Sequence, residues 1–168
     1  MGYGVKIFES QPQAGGMMRY GIPEYRLPYD AMDMDINYIL SLGVEIQYNT
    51  KVGIDVKMEE LNEQYDSVLV GTGLHEGRST RIPGTDHKHV YQAIELLREY
   101  SKGNEIPLSK KIVVIGGGNV AMDITRTLAR LQKQAYGEVQ ITTTSLETED
   151  IMPADQEEID ESREENVT

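Results

Sequence analysis

One short segment, Lys111–Ala135, constrains this 168-residue chain more than any other. It predicts a strand that ends at Ile115, a turn over Gly116–Gly118 and a helix that starts at Asn119. The turn and helix start spell G-G-G-N-V-A, a G-x-G-x-x-A pattern. In that pattern the first glycine permits the tight turn, the second lets the backbone approach a pyrophosphate, and the small last residue packs against the strand. The segment therefore predicts a dinucleotide-binding turn; the alternative is an ordinary strand–turn–helix whose glycines serve geometry alone.

The end of the next predicted strand, Val139–Thr144, bears on which dinucleotide binds. An acid there accepts hydrogen bonds from a free ribose 2′-hydroxyl, whereas arginines accommodate a 2′-phosphate. Here the chain continues to Glu147 and beyond with no Lys or Arg before Arg163. We therefore predict NADH rather than NADPH, with Glu147 or a nearby hydroxyl on the ribose; the alternative is that Glu147 is a solvated loop acid. By the same geometry Glu9, which closes the first predicted strand, is a ribose partner or a surface acid.

The rest of the chain alternates between predicted strands and helices, as an α/β protein does. The earlier predicted elements are a strand over Gly4–Glu9, an ordered loop over 10–29, a helix over Ala31–Leu42 with Asp30 as its N-cap, a strand over Val44–Tyr48, a helix over Lys57–Gln64, a buried strand over Ser67–Gly73, an irregular segment over 74–89 and a helix over Val90–Tyr100. The helix that starts at Asn119 is predicted to bury one face, formed by Val120, Ile124, Leu128 and Leu131. Pro153 is expected in the first turn of a final acidic helix.

Composition excludes several classes of function. The chain has 16 basic and 28 acidic residues and a net charge of −12, which argues against a nucleic-acid partner because phosphate binding needs a basic face. With no Cys it forms no disulfide and ligates no iron–sulfur cluster. Its longest apolar run, Ile112–Ile115, is far too short to span a membrane. We predict a cytoplasmic protein with no membrane partner and no metal site.

The negative charge is concentrated near the end of the chain. Residues 147–168 contain ten acidic residues and one basic residue, whereas residues 1–146 contain 18 acidic and 15 basic residues. This acidic tail has two interpretations. It is either a solvated helix face of the nucleotide-binding domain or a docking site for a basic partner.

A family resemblance rests on the segment Gly15–Pro28, which spells G-G-M-M-R-Y-G-I-P-E-Y-R-L-P. It closely resembles the G-G-L-L-R-Y-G-I-P-x-x-R-L-P segment of the glutamate synthase small (β) subunit family. That family includes the related flavin domain of dihydropyrimidine dehydrogenase. Further similar segments follow in the same order along the chain: Gly43–Ile46, Val70–Gly73, Ile82–Gly84, Ile115–Asp123 and Met152–Ala154.

The resemblance implies two interleaved dinucleotide-binding domains, one for FAD and one for NAD(P)H. The expected fold is α/β, with two incomplete Rossmann-like domains and a three-layer parallel sheet. The expected division is a partial FAD-binding domain over 1–100, a hinge over 101–109 and a partial NAD(P)-binding domain over 110–168. The implied FAD contacts are Glu9 at the adenosine ribose, Gly15, Gly16 and Arg19 on the flavin side, and Thr72 and Gly73 near the pyrophosphate. The implied nicotinamide dinucleotide contacts are Gly116, Gly118, Asn119, Val120 and Ala121.

The resemblance also implies an activity. Hydride would pass from the nicotinamide to FAD, and electrons onward to iron–sulfur centres and a larger electron-accepting subunit. Because the cofactors carry that chemistry, no catalytic acid–base residue is assigned.

Two departures from the family pattern modify these expectations. The family's FAD fingerprint, a strand and G-x-G-x-x-G/A turn ahead of Glu9, is absent, so we expect an internal fragment of a larger enzyme. The alternative is an isolated nucleotide-binding fragment without FAD or catalytic activity. Many members carry Arg-Arg where this chain has Thr144-Ser145, which favours NADH. Ala121 in place of a third glycine is often associated with NADPH and points the other way; we weight the missing cations more.

Overall fold

The computed structural model of the chain describes residues 2–77 and 81–168 and forms two compact units. The first comprises the chain up to Arg19 together with Glu24–Leu74, and the second comprises Tyr20–Pro23 and the chain from His75 onward. These units differ from the nucleotide-binding domains and hinge expected from the resemblance, and that division stays a prediction. Of the segment predicted to be irregular, residues 78–80 lie outside the described residues.

The first unit is built on a small parallel sheet. Its elements, in chain order, are β1 (Val5–Phe8), α1 (Gly16–Tyr20), α2 (Tyr29–Ser41), β2 (Val44–Gln47) and α3 (Met58–Gln64). Val5 lies opposite Val44 and Phe8 opposite Gln47, so the two strands run parallel and the chain between them forms a helical crossover. Gly43 reverses the chain after α2 with a φ of +92°, a conformation that glycine adopts readily.

Two predictions about this unit are wrong in detail. The segment 10–29, predicted to be a loop, contains the short helix α1. Asp30 is not the N-cap of α2, because that helix starts at Tyr29 after Pro28. Asp30 lies instead in the first helical turn, where its carboxylate is favoured by the positive end of the helix dipole.

The predicted buried strand Ser67–Gly73 is also wrong, because this segment has no regular secondary structure and is mostly exposed. It contains no assigned strand, and Leu69 is 95% exposed. An apolar run of this kind suits a strand that lies between two neighbours, but a parallel strand forms only where another strand accepts its hydrogen bonds. In the described part of the chain β1 and β2 pair with each other, and the segment pairs with neither.

The second unit confirms the predicted strand–turn–helix–strand order. Its elements are α4 (Ala93–Ser101), β3 (Ile112–Ile115), α5 (Asn119–Tyr136), β4 (Ile141–Thr144), a 3₁₀ turn (Glu149–Ile151) and α6 (Gln156–Glu164). β3 and β4 are parallel, with Ile112 opposite Ile141 and Ile115 opposite Thr144. The final helix starts later than predicted, so Pro153 lies in the preceding loop rather than in its first turn. The helix α4 likewise begins at Ala93, three residues after the predicted start.

The core of the second unit lies against one face of α5. The buried cluster consists of Leu97, Val114, Ala121, Met122, Ile124, Leu128, Ala129, Ile141, Ala154 and Ile159. Burying a large aliphatic side chain of this kind contributes about 1.5–3 kcal/mol, so this face fixes α5 on the sheet. Val120 was predicted to share the face but is 47% exposed, because it lies in the first turn at the open end of the helix.

The acidic tail packs against α5 through a buried arginine. The side chain of Arg126 is 4% exposed, and its Nη1 lies 2.6 Å from Oε2 of Glu158, which is also buried. It also forms ion pairs with Glu161 and Glu165. Since Ile159 joins the core as well, one face of α6 is buried. The opposite face is exposed. Both interpretations of the acidic tail, a solvated helix face of the domain and a docking site for a basic partner, stay predictions.

Candidate nucleotide-binding site

The first glycine of the turn is required by the tight junction between β3 and α5. Gly116 has a φ of +149° and donates its N–H to the carbonyl of Thr144 at 2.8 Å. A Cβ at Gly116 would lie 3.1 Å from the Cβ of Ala121, closer than about nine in ten real Cβ contacts. Both residues must therefore be small for the helix to begin this close to the strand.

The middle glycine is required by the loop that follows β4. A Cβ at Gly117 would lie 2.9 Å from the Cβ of Ser145, and 3.4 Å from both Glu147 Oε2 and Met152 Cε. The loop thus folds back over the turn and brings Glu147 beside it. Sequence reasoning missed this contact because the G-x-G-x-x-A pattern leaves the middle position unrestricted. The presence of glycine at that unrestricted position, Gly117, was the available signal.

Gly118 leaves the start of α5 open. A Cβ at this position would meet nothing within 4 Å. The first hydrogen bonds inside the helix are donated by Ala121 and Met122 to the Gly118 carbonyl, at 2.9 and 3.2 Å. The N–H groups before Ala121 are therefore not used within the helix, and they point out of its positive end. Because α5 is 18 residues long and packed, this end suits the phosphates of a dinucleotide.

The side chain of Asn119 is held by the start of α6. Its Nδ2 donates to Asp155 Oδ2 at 2.8 Å, and its Oδ1 accepts from the N–H of Asp155, also at 2.8 Å. The carbonyl of Gly117 accepts from the N–H of Ala154 at 2.9 Å. Asp155 and Ala154 are 36 or more residues from the turn in sequence, so no local motif indicated these contacts.

The charges after β4 are mainly negative. Glu147 is exposed, and its carbonyl accepts a hydrogen bond from Ser145 Oγ at 2.7 Å. Arg163, the only cation between residues 147 and 168, forms ion pairs with Glu149 and with Asp160, the latter at 3.2 Å. Two carboxylates thus already engage the first cation that follows β4 in the sequence.

The residues implied for FAD lie in the first unit. Oε1 of Glu9 accepts the N–H of Gln11 at 2.8 Å, so the backbone orients this carboxylate. Gly15 and Gly16 both have positive φ, +124° and +52°. A Cβ at Gly15 would lie 2.8 Å from Met32 Sδ, whereas a Cβ at Gly16 would meet nothing within 4 Å.

Arg19 is buried and stabilises the loop that precedes it. Its Nε donates to the carbonyl of Ala14 at 2.6 Å, and its guanidinium forms an ion pair with Asp33. The guanidinium carbon also lies 5.1 Å from the centre of the Tyr29 ring, within cation–π distance. These contacts give Arg19 a positioning role for the loop; its contact with a flavin stays a prediction.

The described residues do not form a complete FAD site. Neither β1 nor β2 leads through a glycine turn directly into a helix long enough to hold a phosphate at its start, because α1 has five residues and ten residues separate β2 from α3. Thr72 and Gly73 are exposed in the segment 67–73. Within residues 2–77 and 81–168, the start of α5 therefore leaves helix N–H groups accessible, and the first unit contains no comparable turn ahead of a long helix.

Residues 2–77 and 81–168 contain neither a candidate metal site nor a helix that could cross a membrane. No group of three or more His, Asp and Glu side chains is placed to hold a metal ion within these ranges. Across the same ranges, no helix combines the length and apolar character needed to cross a membrane.

A parallel strand–glycine turn–helix unit with open N–H groups at the helix start is the arrangement of Rossmann-like nucleotide-binding proteins. The chain belongs to the pyridine nucleotide-disulphide oxidoreductase family, whose profile matches residues 7–167. This match confirms the predicted membership of an NAD(P)H oxidoreductase family, and the fold agrees with the predicted α/β class.

Curated relatives agree with this assignment. The chain is 44% identical over 132 residues to the NADP(+)-dependent formate dehydrogenase subunit beta of Moorella thermoacetica, covering 77% of this chain and 19% of the relative. It is 36% identical to the NADPH-Fe(3+) oxidoreductase subunit beta of Geobacter sulfurreducens, covering 99% of this chain and 25% of the relative. It is 35% identical to the NAD-dependent dihydropyrimidine dehydrogenase subunit PreT of Escherichia coli, covering 99% and 39%. The chain thus spans well under half the length of these relatives.

Solved structures support the fold alone. Mycobacterium tuberculosis FprA in complex with NADPH superimposes with a TM-score of 0.80 at 22% identity, covering 96% of this chain and 40% of FprA. A 2-naphthoyl-CoA reductase complex superimposes with a TM-score of 0.76 at 20% identity, covering 99% and 24%.

Proposed function

We propose that this chain is the nicotinamide dinucleotide-binding portion of a flavin-dependent NAD(P)H oxidoreductase that resembles the glutamate synthase small subunit. In the whole protein the cofactors supply hydride transfer from nicotinamide to FAD and electron passage to iron–sulfur centres. The role of this chain is to bind and orient the dinucleotide. The observation that carries the proposal is the open end of α5 at Gly118, where N–H groups that are not used within the helix face open space.

We propose further that the site prefers NADH. The relatives are named for NADP(+), NADPH and NAD in turn, so the proposed preference rests on this chain's own residues. Glu147 lies beside Gly117, where its carboxylate would accept from a ribose hydroxyl and repel a 2′-phosphate. Arg163 is already engaged by Glu149 and Asp160, so it is not available to neutralise that phosphate.

A second candidate concerns the chain by itself. It would bind NADH but hold no FAD and catalyse no turnover, while the FAD contacts at Glu9, Gly15, Gly16, Arg19, Thr72 and Gly73 would operate in the whole protein. The observation that favours this candidate is that no strand in the first unit leads through a glycine turn into a long helix.

The proposed partners are inferred from the relatives and from the net charge of the chain. Several relatives are named as subunits, which supports a larger electron-accepting subunit as the partner of the whole protein. The net charge of −12 argues against nucleic acid, and we propose a cytoplasmic location without a membrane partner.

Parallel calorimetric titrations with NADH and NADPH, each with and without FAD, test these proposals. We expect NADH to bind about tenfold more tightly than NADPH, a difference of about 1.4 kcal/mol. Glu147→Gln should reduce that preference, whereas Glu138→Gln, a matched exposed acid in the same unit, should leave it unchanged. Absence of binding by either nucleotide overturns the proposed function. Equal affinities overturn the NADH preference, and flavin absorbance that survives gel filtration overturns the second candidate.

A further inference from the structure

Four residues, Met152–Asp155, join the start of α6 to the glycine turn, and we call this segment the strap. The N–H of Ala154 donates to the Gly117 carbonyl at 2.9 Å. Asp155 and Asn119 exchange two hydrogen bonds, each 2.8 Å long, one from the Asp155 N–H and one from Asn119 Nδ2. The turn and the strap are therefore fixed to each other at two adjacent places.

The carboxylate of Asp155 is directed to Asn119 rather than to its own helix. Asp155 is the N-cap residue of α6, a position where an aspartate usually accepts a hydrogen bond from the second or third helical N–H. It makes no such capping bond here. A side chain that stabilises α6 in the ordinary way is thus used to hold the first residue of α5.

The strap also determines what lies over the turn. Met152 Cε and Glu147 Oε2 both lie 3.4 Å from the position of a Cβ at Gly117. One residue further along, at Gly118, the space is open. Met152 and Glu147 therefore cover the middle of the turn at Gly117. The start of α5 at Gly118 stays accessible, with Glu147 close to it. An arrangement that is fixed before the ligand arrives loses less entropy on binding.

We propose that Asn119 and Asp155 are positioning residues for the dinucleotide site. Their paired hydrogen bonds align the N–H groups of the turn with the phosphates and hold the loop that carries Glu147 at the ribose. The inference rests on the proposed function, because its ligand is the nicotinamide dinucleotide. It adds that breaking the pair lowers both the affinity and the discrimination between NADH and NADPH.

The test titrates the full 168-residue chain with NADH, NADPH and ADP-ribose. Asp155→Ala should raise the Kd for NADH about tenfold, the effect of one lost hydrogen bond to a charged group, and should bring the NADH and NADPH affinities closer together. Asp155→Asn keeps an acceptor oxygen for Asn119 and should stay within about twofold of wild type. The matched control is Gln156→Ala, which removes a 2.9 Å bond to Asp160 on the same helix and should leave all three affinities unchanged.

Amide hydrogen exchange supplies a readout that needs no ligand. Exchange of the amides of Gly117–Val120 should become faster in Asp155→Ala and in Asn119→Ala, which removes both side-chain bonds, but not in Gln156→Ala. If Asp155→Ala does not fold, Asn119→Ala replaces it in every comparison, and the nearly isosteric Asp155→Asn still tests the role of charge.

The outcomes separate the two claims. A wild-type chain that binds none of the three nucleotides overturns the proposed function, while hydrogen exchange still tests whether the strap holds the turn. A wild-type chain that binds NADH, together with an Asp155→Ala variant of unchanged Kd and unchanged nucleotide preference, overturns this inference alone. If Asp155→Asn loses as much affinity as Asp155→Ala, the charge rather than the hydrogen-bond geometry is responsible, and positioning by the pair is wrong.

Discussion

Both units place glycines with positive φ ahead of a helix, and the helices that follow differ greatly. Gly116 leads through the turn into α5, an 18-residue helix whose inner face is packed in a core. Gly15 and Gly16 lead into α1, a helix of five residues. A helix of five residues sums few peptide dipoles and is not stable by itself, whereas a long packed helix holds its first N–H groups in line. We therefore expect a glycine turn to bind phosphate only where a long, packed helix follows it.

Among the described residues, each unit contains one buried arginine, and the two arginines make different contacts. Arg126 joins two helices through three carboxylates, of which Glu158 is itself buried. Arg19 joins a loop carbonyl to the half-exposed Asp33. The comparison predicts that the second unit depends on its arginine for stability more than the first unit does.

The largest expected effect is that of Arg126→Ala. It should lower the free energy of unfolding by about 3–5 kcal/mol, because the buried Glu158 would remain without its main cation. Urea denaturation followed by circular dichroism measures the loss. Arg130→Ala is the control: Arg130 shares Glu165 but is 43% exposed, so less than about 1 kcal/mol should be lost. Equal losses in the two variants would contradict the role assigned to burial.

The next effect is that of Arg19→Ala, for which we expect a loss of about 2 kcal/mol in the same denaturation experiment. The Ala14 carbonyl would lose its donor, but Asp33 is exposed enough to be solvated. Arg19→Lys should lie between wild type and Arg19→Ala, because it keeps the charge and loses the planar donor geometry. A loss as large as that of Arg126→Ala would remove the distinction between the two units.

The glycine turn offers a third, smaller effect that separates packing from ligand access. Gly117→Ala should lower stability by about 1–2 kcal/mol, because its Cβ would lie 2.9 Å from that of Ser145. Gly118→Ala should cost less than about 1 kcal/mol, since its Cβ meets nothing, yet it should weaken NADH binding because the Cβ occupies the approach to the helix N–H groups. Thermal unfolding and titration together measure both variants. An unchanged NADH affinity in Gly118→Ala would argue against phosphates at this place.

The smallest expected effect concerns pH and an exposed acid of α4. A hydrogen bond from the side chain of Asn104 lowers the pKa of Glu99 below its usual value of 4.5. A carboxyl with a lowered pKa stabilises the fold above its unfolded pKa, and that contribution is lost as the pH falls through the folded pKa. Asn104→Ala should therefore be less stable than wild type at pH 7 by about 0.3 kcal/mol, a small value because Glu99 is nearly half exposed, and this difference should shrink as the pH falls through the folded pKa of Glu99. Glu105→Gln is the control; a difference between Asn104→Ala and wild type that does not shrink as the pH is lowered would contradict the cause assigned.

The elements that the sequence predicted well are those that depend on neighbouring residues. The strand before Gly116, the turn and the start of α5 follow from local periodicity and from the conformational freedom of glycine. The bounds of β2 and α3 were likewise close to their predictions, and Gly43 ends α2 as expected.

The features that sequence reasoning missed depend on contacts between distant segments. Asp155 is 36 residues from Asn119, and Glu158 is 32 residues from Arg126, so neither pair forms a spacing pattern. The prediction of a buried strand over Ser67–Gly73 was wrong for the same reason, since burial of a strand depends on which strands lie beside it. Glu147 is predicted as a ribose partner from its place after β4 alone, and only the folded chain brings its carboxylate beside Gly117.

The β3–β4 sheet has a further consequence for the behaviour of the chain in solution. Val114 is buried, but its neighbours Val113 and Ile115 are more than half exposed on the opposite face of β3. An apolar strand face of this kind attracts other copies of the chain, whereas a net charge of −12 keeps them apart. Salt shortens the range of that repulsion to about 10 Å at 0.1 M, so dilute buffer at neutral pH favours a monodisperse sample, and high salt or a pH near 4.6 favours self-association.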